Sequence, residues 1–336
     1  MKTKPMVADI SPAGCDFQLT EPDYELVTKN ELPAWYSKER YLLTGYRRCR
    51  SVSSCAKSIF KVHNQSVNIW LHLPISFLLL PYFAYVFKQL PESNSDWDTT
   101  VVYLSVVFGN VSTLFLSGIC HTFFCLSQRV HNICWFMDFV GLLTGILGGG
   151  VGVGYFSFKC HHEYLIAYFV LMACMYPLMI VVTWRRYWAH VGTLPLDPDY
   201  SFPEFVAPLG VFNLFSWIMV LAIDKIAFSE YTREPAFVLT WNLSAACPVI
   251  LIVGALIQYF NFPDKFVKPG TVDIVGSSHQ LWHLCGMSLM FVWIHAITSH
   301  YQARQDLPCS QGSPKVFFTC EIQKMIHKKS VLEKKK

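Results

Sequence analysis

The sequence predicts an all-α fold, a bundle of seven transmembrane helices with a cytosolic N-terminus, on three observations. Hydrophobic residues make up 53% of the 336-residue chain and charged residues only 15%, whereas roughly a quarter of a soluble domain is charged. Seven apolar runs are each long enough to cross a bilayer, which takes roughly 17 to 25 residues. Basic residues are distributed unevenly between the segments that connect these runs.

Short polar connections separate the seven predicted spans along the chain. The spans are Ile69–Phe87, Val101–Cys120, Ile133–Phe156, Tyr164–Thr183, Phe205–Ile223, Phe237–Phe260 and His279–Ile297. A polar arm, residues 1–64, precedes the seven-span domain of residues 65–300, and a polar basic tail, residues 301–336, follows it. The arm is polar enough to stay outside the membrane, where it can dock a cytosolic partner.

The basic residues near the spans predict the orientation of the bundle. A cytosolic N-terminus places eleven of them inside and six outside, so the excess follows the positive-inside rule and predicts an outer or lumenal C-terminus. The inner residues are Arg40, Arg47, Arg48, Arg50, Lys57, Lys61, Arg129, Arg185, Arg186, Lys265 and Lys268, and the outer ones are Lys88, Lys159, Lys225, Arg233, Arg304 and Lys315. The formal net charge of +4 is small, and it gives no reason to predict a nucleic-acid partner.

Five polar residues in or beside apolar spans are candidates for a functional site. Ser117 and His121 are four residues apart, as are His279 and His283, so each pair lies on one face of a helix. Because ionisable groups are costly in lipid, their presence there indicates function. His121 ends span two, Asp138 lies early in span three, and the histidine pair begins span seven. Since alternate spans run in opposite directions, all five are predicted at one face, the cytosolic leaflet.

The residue types indicate zinc chemistry. Three imidazoles without a thiolate partner suggest a zinc site that holds water, because a closed structural site normally uses four protein ligands. The chain contains no Cys-x2-Cys pair, so neither a thiolate zinc ribbon nor a disulfide framework is predicted. Most cysteines are interpreted as small buried hydrophobic residues. The glycines between Gly145 and Gly154 lie within a span and predict close helix packing.

Several motifs together carry a resemblance to a known family. They are Gly45-Tyr46-Arg47, the segment Asn64–His72, Ser117-Gly-Ile-Cys-His121, Leu126-Ser127, Met137-Asp138-Phe139 and the segment Gly276–His283. Over about residues 45–300 the chain resembles the progestin and adipoQ receptor family, seven-span proteins that include the adiponectin and membrane progestin receptors. It departs from that family at Gln65, where glutamate is usual, and in the loop that enters span seven.

The resemblance implies roles for the five candidate residues. His121, His279 and His283 match the family's zinc ligands, and Asp138 matches the acidic residue that holds water at the metal. Ser117 matches the serine of a wider superfamily that includes the alkaline ceramidases. The family also implies a lipid or a steroid- or adipokine-type ligand, and residence in the plasma membrane or the Golgi.

Three functions remain open on the sequence. The first is a receptor that hydrolyses a ceramide-like lipid amide with Zn²⁺, Asp138 and Ser117. The second is a receptor or membrane scaffold in which zinc is only structural. A G-protein-coupled receptor is the third, and the distribution of basic residues disfavours it because that class has the opposite topology. Whether the protein is an enzyme is therefore not decided by its sequence.

Overall fold

The computed structural model describes residues 22–33, 35–36, 39–89, 97–191 and 235–306. Within these residues the protein is mostly helical, and six helices are long and apolar enough to cross a membrane. A short helix α1, Val52–Lys57, is followed by α2 Ser66–Lys88, α3 Trp97–Phe123, α4 Gln128–Phe158, α5 His162–Val191, α6 Pro235–Tyr259 and α7 Ser278–Asp306. The predicted span Phe205–Ile223 lies outside the described residues.

The described helices extend beyond the predicted spans at both ends, except that α6 ends at Tyr259, one residue before the predicted end. The predicted boundaries followed the apolar runs, whereas a helix continues through polar residues as long as its terminal backbone groups are satisfied. At the start of α4, for example, the Ser127 hydroxyl accepts a hydrogen bond from the Val130 backbone N–H at 3.3 Å. As a result His121, which directly follows the predicted span Val101–Cys120, lies inside regular helix, as Asp138 does.

Glycines allow α2, α3 and α4 to pack closely. A Cβ atom on Gly148 of α4 would lie 2.5 Å from the Ser105 carbonyl oxygen of α3. A Cβ atom on Gly118 of α3 would lie 2.8 Å from the Leu73 backbone nitrogen of α2. Larger residues would push these helices apart, as predicted for the glycine-rich span. Gly118 directly follows Ser117, so this contact sets the distance between α2 and the candidate site.

Residues 22–64 contain structure that the sequence analysis did not predict. Strand β1, Tyr24–Val27, pairs antiparallel with β2, Tyr46–Cys49, so that Tyr24 lies opposite Cys49. The Ser51 hydroxyl then caps α1 by accepting a hydrogen bond from the Ser54 N–H at 3.1 Å. The strands are only four residues long, too short to stand out in a polar segment. The boundary of the arm at residue 64 stays a prediction.

The N-terminal segment is tied to the loop that precedes α7. The Asp273 carboxylate accepts hydrogen bonds from the backbone N–H groups of Leu43, at 3.0 Å, and Thr44, at 2.8 Å. The Gln280 side-chain amide donates to the Asn64 carbonyl oxygen at 3.2 Å. Residues 39–64 and 260–277, named the cap below, therefore lie together beside the first turn of α7.

Candidate metal centre

Three imidazoles from two helices meet near the cap. His121 comes from the end of α3, and His279 and His283 come from the first turns of α7. One ring nitrogen of each lies within 4.8 Å of the other two, and all three residues are buried. The Nε2 atoms of His279 and His283 are 3.0 Å apart, and the ring centroids of His121 and His283 are 4.8 Å apart. This spacing lets one metal ion be coordinated by a nitrogen atom of each of the three rings.

A buried arginine fixes the end of α3 that carries His121. The Arg47 side chain is fully buried, and its guanidinium donates hydrogen bonds to the carbonyl oxygens of His121 and Thr122. These carbonyls have no partner within the helix, and a positive charge beside them also interacts favourably with the helix dipole. Arg47 therefore positions the backbone of His121 from the cap.

An aspartate in the cap fixes the start of α7. The Asp264 carboxylate accepts hydrogen bonds from the Ser278 backbone N–H, at 2.8 Å, and from the Ser278 hydroxyl, at 2.6 Å. An acidic group at a helix N-terminus satisfies free N–H groups and complements the helix dipole. His279 is the next residue, so this contact sets the position of the histidine pair.

Gln65 determines which nitrogen of His121 is available to a ligand. The Gln65 Oε1 atom lies 2.8 Å from His121 Nδ1 and also accepts a hydrogen bond from Asn68 Nδ2 at 2.7 Å. An amide oxygen only accepts, so Nδ1 carries the proton and Nε2 presents a lone pair. His121 Nε2 is buried without a hydrogen-bond partner. The side-chain amide thus does here what a carboxylate often does beside a zinc-bound histidine.

Asp138 and Ser117 lie beside the imidazoles. The Asp138 Oδ2 atom is 3.9 Å from His121 Nε2, and the aspartate side chain is 17% exposed. The Ser117 hydroxyl is near the Asp138 carboxylate but outside hydrogen-bond geometry, and it is buried without a partner. Three nitrogen donors, one of them the unpartnered His121 Nε2, together with the Asp138 carboxylate and the unpartnered Ser117 hydroxyl, fit a zinc ion that takes a further oxygen ligand.

The structure adds His72 of α2 to the five predicted site residues. Its ring centroid lies 4.3 Å from that of His283, and its Nδ1 atom is buried without a hydrogen-bond partner. The sequence contains a pattern that could have indicated His72. Polar residues recur every three or four positions and form one buried stripe, which consists of Gln65, Asn68, His72 and Ser76. A polar stripe on a membrane helix indicates the face that meets the site.

Replacing Gln65 tests the orientation of His121. Gln65→Leu removes the acceptor for Nδ1, so we expect zinc affinity to fall about 10- to 100-fold, the usual effect of losing such a partner. Gln65→Glu keeps the acceptor and is expected to bind zinc at least as tightly as the natural chain. Competition with a fluorescent zinc chelator measures both variants. Equal affinity in Gln65→Leu and the natural chain would contradict the assigned role.

Comparison with known proteins gives one family match. Residues 60–294 match the model of a family described as haemolysin-III related. The matched segment includes α2, α3, α4 and all three clustered imidazoles. It ends within α7, beyond the histidine pair.

Similar curated proteins occur in animals and plants. The chain is 27% identical over 284 residues to the adiponectin receptor protein of Drosophila melanogaster, covering 83% of this chain but only 60% of that relative. It is 24% identical over 302 residues to progestin and adipoQ receptor family member 3 of Homo sapiens, covering 84% and 88% of the two chains. It is 25% identical over 303 residues to heptahelical transmembrane protein 1 of Arabidopsis thaliana, covering 85% and 82%.

Proposed function

Because this chain belongs to the haemolysin-III related family, and its relatives include progestin and adipoQ receptors, we propose that it is a zinc-containing receptor that hydrolyses a ceramide-like lipid amide. Six helices of membrane-spanning length make it a multi-pass membrane protein. The observation that carries the proposal is the cluster of three buried imidazoles beside a carboxylate and a free hydroxyl. We assign hydrolysis a part in signalling.

We place the site in the cytosolic leaflet of a seven-span bundle. The run Phe205–Ile223 supplies the seventh span, in keeping with the name of the heptahelical plant relative. The oxidation state of the cysteines is a second argument for a cytosolic N-terminus, in addition to the distribution of basic residues. Cys160, after α4, is disulfide-bonded, whereas Cys49, Cys55 and Cys125 at the opposite end are free thiols. Disulfides persist on the oxidising side of a membrane and thiols on the cytosolic side.

Each site residue has a distinct task in amide hydrolysis. His121, His279 and His283 would hold the zinc ion, which would supply Lewis acidity toward water and the amide carbonyl. Asp138 accepts the proton that water loses as its oxygen bonds to the amide carbon. The Ser117 hydroxyl donates a hydrogen bond to the carbonyl oxygen as negative charge develops there. The proton then passes from Asp138 to the departing nitrogen as the C–N bond breaks, giving a fatty acid and a sphingoid base.

The second candidate function keeps the zinc but omits the chemistry. Aromatic rings surround the imidazoles: Trp135 lies 6.2 Å from His121 and 6.1 Å from His279, centroid to centroid. A metal that joins α3 to α7 in such a packed environment stabilises the bundle without turnover. Signalling then comes from a shift between helix arrangements on ligand binding. The two candidates differ in whether the purified protein releases product.

The deciding experiment measures hydrolysis directly. Full-length protein in detergent micelles is incubated with a ceramide, and released fatty acid is quantified by mass spectrometry. We expect turnover by the natural chain and a loss of about 1000-fold or more in His121→Ala, because one ligand and its orienting contact disappear. His295→Ala, in α7 but about 18 Å along the helix from His283, should keep full activity. No turnover in the natural chain, or equal turnover in His121→Ala, would favour structural zinc.

The remaining assignments concern ligand, partner and membrane. We propose a lipid or a steroid- or adipokine-type ligand, a cytosolic partner for residues 1–64, and residence in the plasma membrane or the Golgi. The names of the relatives, an adiponectin receptor protein and a progestin and adipoQ receptor family member, support a receptor of this class. Fractionation with plasma-membrane and Golgi markers tests the location.

A further inference from the structure

Three cysteines meet outside the histidine site. Cys49 ends β2, Cys55 lies in α1, and Cys125 follows α3. Their sulfur atoms all lie within 4.8 Å of one another, and the sulfurs of Cys55 and Cys125 are 3.7 Å apart. All three are buried free thiols. They are called the thiol cluster below, and neither amide hydrolysis nor the histidine site makes use of them.

The separation of the sulfurs fits a shared metal ion better than a disulfide. Two bonded sulfurs are about 2.05 Å apart, which is much shorter than the observed 3.7 Å. Two sulfurs that bind the same metal at about 2.3 Å lie about 3.8–4.0 Å apart in tetrahedral or trigonal geometry. The pair Cys55 and Cys125 therefore needs only a small adjustment to ligate one ion. Cys49 completes a set of three.

The surroundings of the thiol cluster leave it with three ligands. His131 lies nearby, but its Nδ1 atom is 3.2 Å from the Phe124 carbonyl oxygen and its Nε2 atom accepts a hydrogen bond from the Trp135 indole. Among the described residues, the group of possible metal ligands at this position consists of the three thiols. The cluster packs in an apolar core with Tyr36 and Phe124, so water has little access as a fourth ligand.

A three-thiolate site selects for soft monovalent copper. Thiolates bind Cu(I) and Zn²⁺ in preference to hard cations, but structural zinc almost always takes four protein ligands. Three thiolates and Cu(I) carry a net charge of −2, and the buried Arg47 guanidinium lies close enough to interact electrostatically with Cys49 and Cys125. We propose that Cys49, Cys55 and Cys125 form a Cu(I) site that joins the N-terminal segment to the loop between α3 and α4.

The proposed site is adjacent to the zinc site but chemically separate from it. Cys125 is four residues beyond His121, and Arg47 lies between the two groups, where its guanidinium donates a hydrogen bond to the His121 carbonyl oxygen. The ligand sets share no residue, and imidazoles and thiolates favour different metals. Copper bound by the thiol cluster would thus restrain the same helix end that carries His121.

The first test uses the natural full-length chain, purified with its thiols reduced and supplied with Cu(I) as the bicinchoninate complex. We expect about one Cu(I) per chain to transfer to the protein. X-ray absorption at the copper edge should then show three sulfur neighbours at about 2.2–2.3 Å. Failure to take Cu(I) from the competitor, nitrogen neighbours in the spectrum, or a Cys55–Cys125 disulfide found by mass spectrometry in the reduced preparation would each overturn the proposal.

Matched variants locate the copper. Cys55→Ser and Cys125→Ser each remove a ligand with little change in volume, and we expect Cu(I) affinity to fall about 100-fold or more. Cys174→Ser, at an exposed position of α5, should bind as the natural chain does. The double variant His279→Ala/His283→Ala should also retain copper, which separates this site from the zinc site. Equal loss in Cys174→Ser, or copper lost with the histidine pair, would contradict it.

Discussion

The natural chain is expected to purify with about one zinc ion per molecule, and the double variant His279→Ala/His283→Ala without zinc. Two of the three buried imidazoles disappear in the variant, and a single histidine with a nearby carboxylate does not hold zinc tightly. Any ligand that binds only the folded state stabilises it, by about 4 kcal/mol when its concentration is 1000 times the dissociation constant. Zinc removal should therefore lower the unfolding temperature as well.

Metal analysis by mass spectrometry and thermal unfolding in detergent test this expectation together. A strong chelator should destabilise the natural chain and leave the double variant unchanged, because the variant has no ion to lose. His161→Ala/His162→Ala provides a matched control, since that pair lies after α4 at the other end of the bundle. Zinc retained by the His279/His283 variant would mean that the ion binds elsewhere. Absence of zinc from a folded natural chain would exclude the zinc site.

The variant Asp138→Asn is expected to lose hydrolysis while retaining zinc. Asparagine has nearly the same shape as aspartate but does not accept the proton from water, and losing a general base typically costs 10²–10⁴-fold in rate. Asp138 Oδ2 is 3.9 Å from His121 Nε2, so the carboxylate lies beside the imidazoles but is not one of the three grouped metal ligands. This separates the two proposed functions, because a purely structural zinc site has no rate to lose.

Parallel measurements of ceramide turnover and zinc content on the same preparation test that prediction. Asp98→Asn serves as the control, since Asp98 accepts a hydrogen bond from the Tyr155 hydroxyl and lies in the first turn of α3, away from the site. An unchanged rate in Asp138→Asn would remove the aspartate from the mechanism. Loss of zinc from the same variant would instead make it a ligand.

Local spacing accounts for what could be predicted of the site. Ser117 with His121, and His279 with His283, are each one helical turn apart, so their shared faces follow from the sequence. The alternation of spans then places both pairs at one end of the bundle. The helices themselves stand out because the membrane requires long apolar runs. Helical spacing depends on neighbouring residues, and the length and alternation of the spans depend on the hydropathy of the whole chain. Both can be read from the sequence.

Contacts made only in the folded protein could not be predicted. Gln65 appeared as a departure from a family pattern, and its role emerged only from its position against His121 Nδ1. Arg47 appeared within a motif, but no local rule links it to the end of a helix more than seventy residues later. The three cysteines of the thiol cluster are not spaced in the sequence in a pattern that would predict their contact. Most free cysteines described are buried, as expected, yet burial alone did not reveal that three of them meet.

The contacts within the cap determine how late in synthesis the native structure around His121 can form. Asp273 accepts hydrogen bonds from the backbone N–H groups of Leu43 and Thr44, which lie 230 and 229 residues earlier in the sequence. Gln280 donates a hydrogen bond to the carbonyl oxygen of Asn64, 216 residues earlier. The N-terminal segment leaves the ribosome before α7, but its partners lie in the loop that precedes α7 and in the first turn of that helix. Contacts this distant in sequence form late, since the intervening chain must be ordered first. His121 therefore lacks its two companion imidazoles until α7 is translated, and a metal ion that all three imidazoles hold can bind only after α7 is inserted.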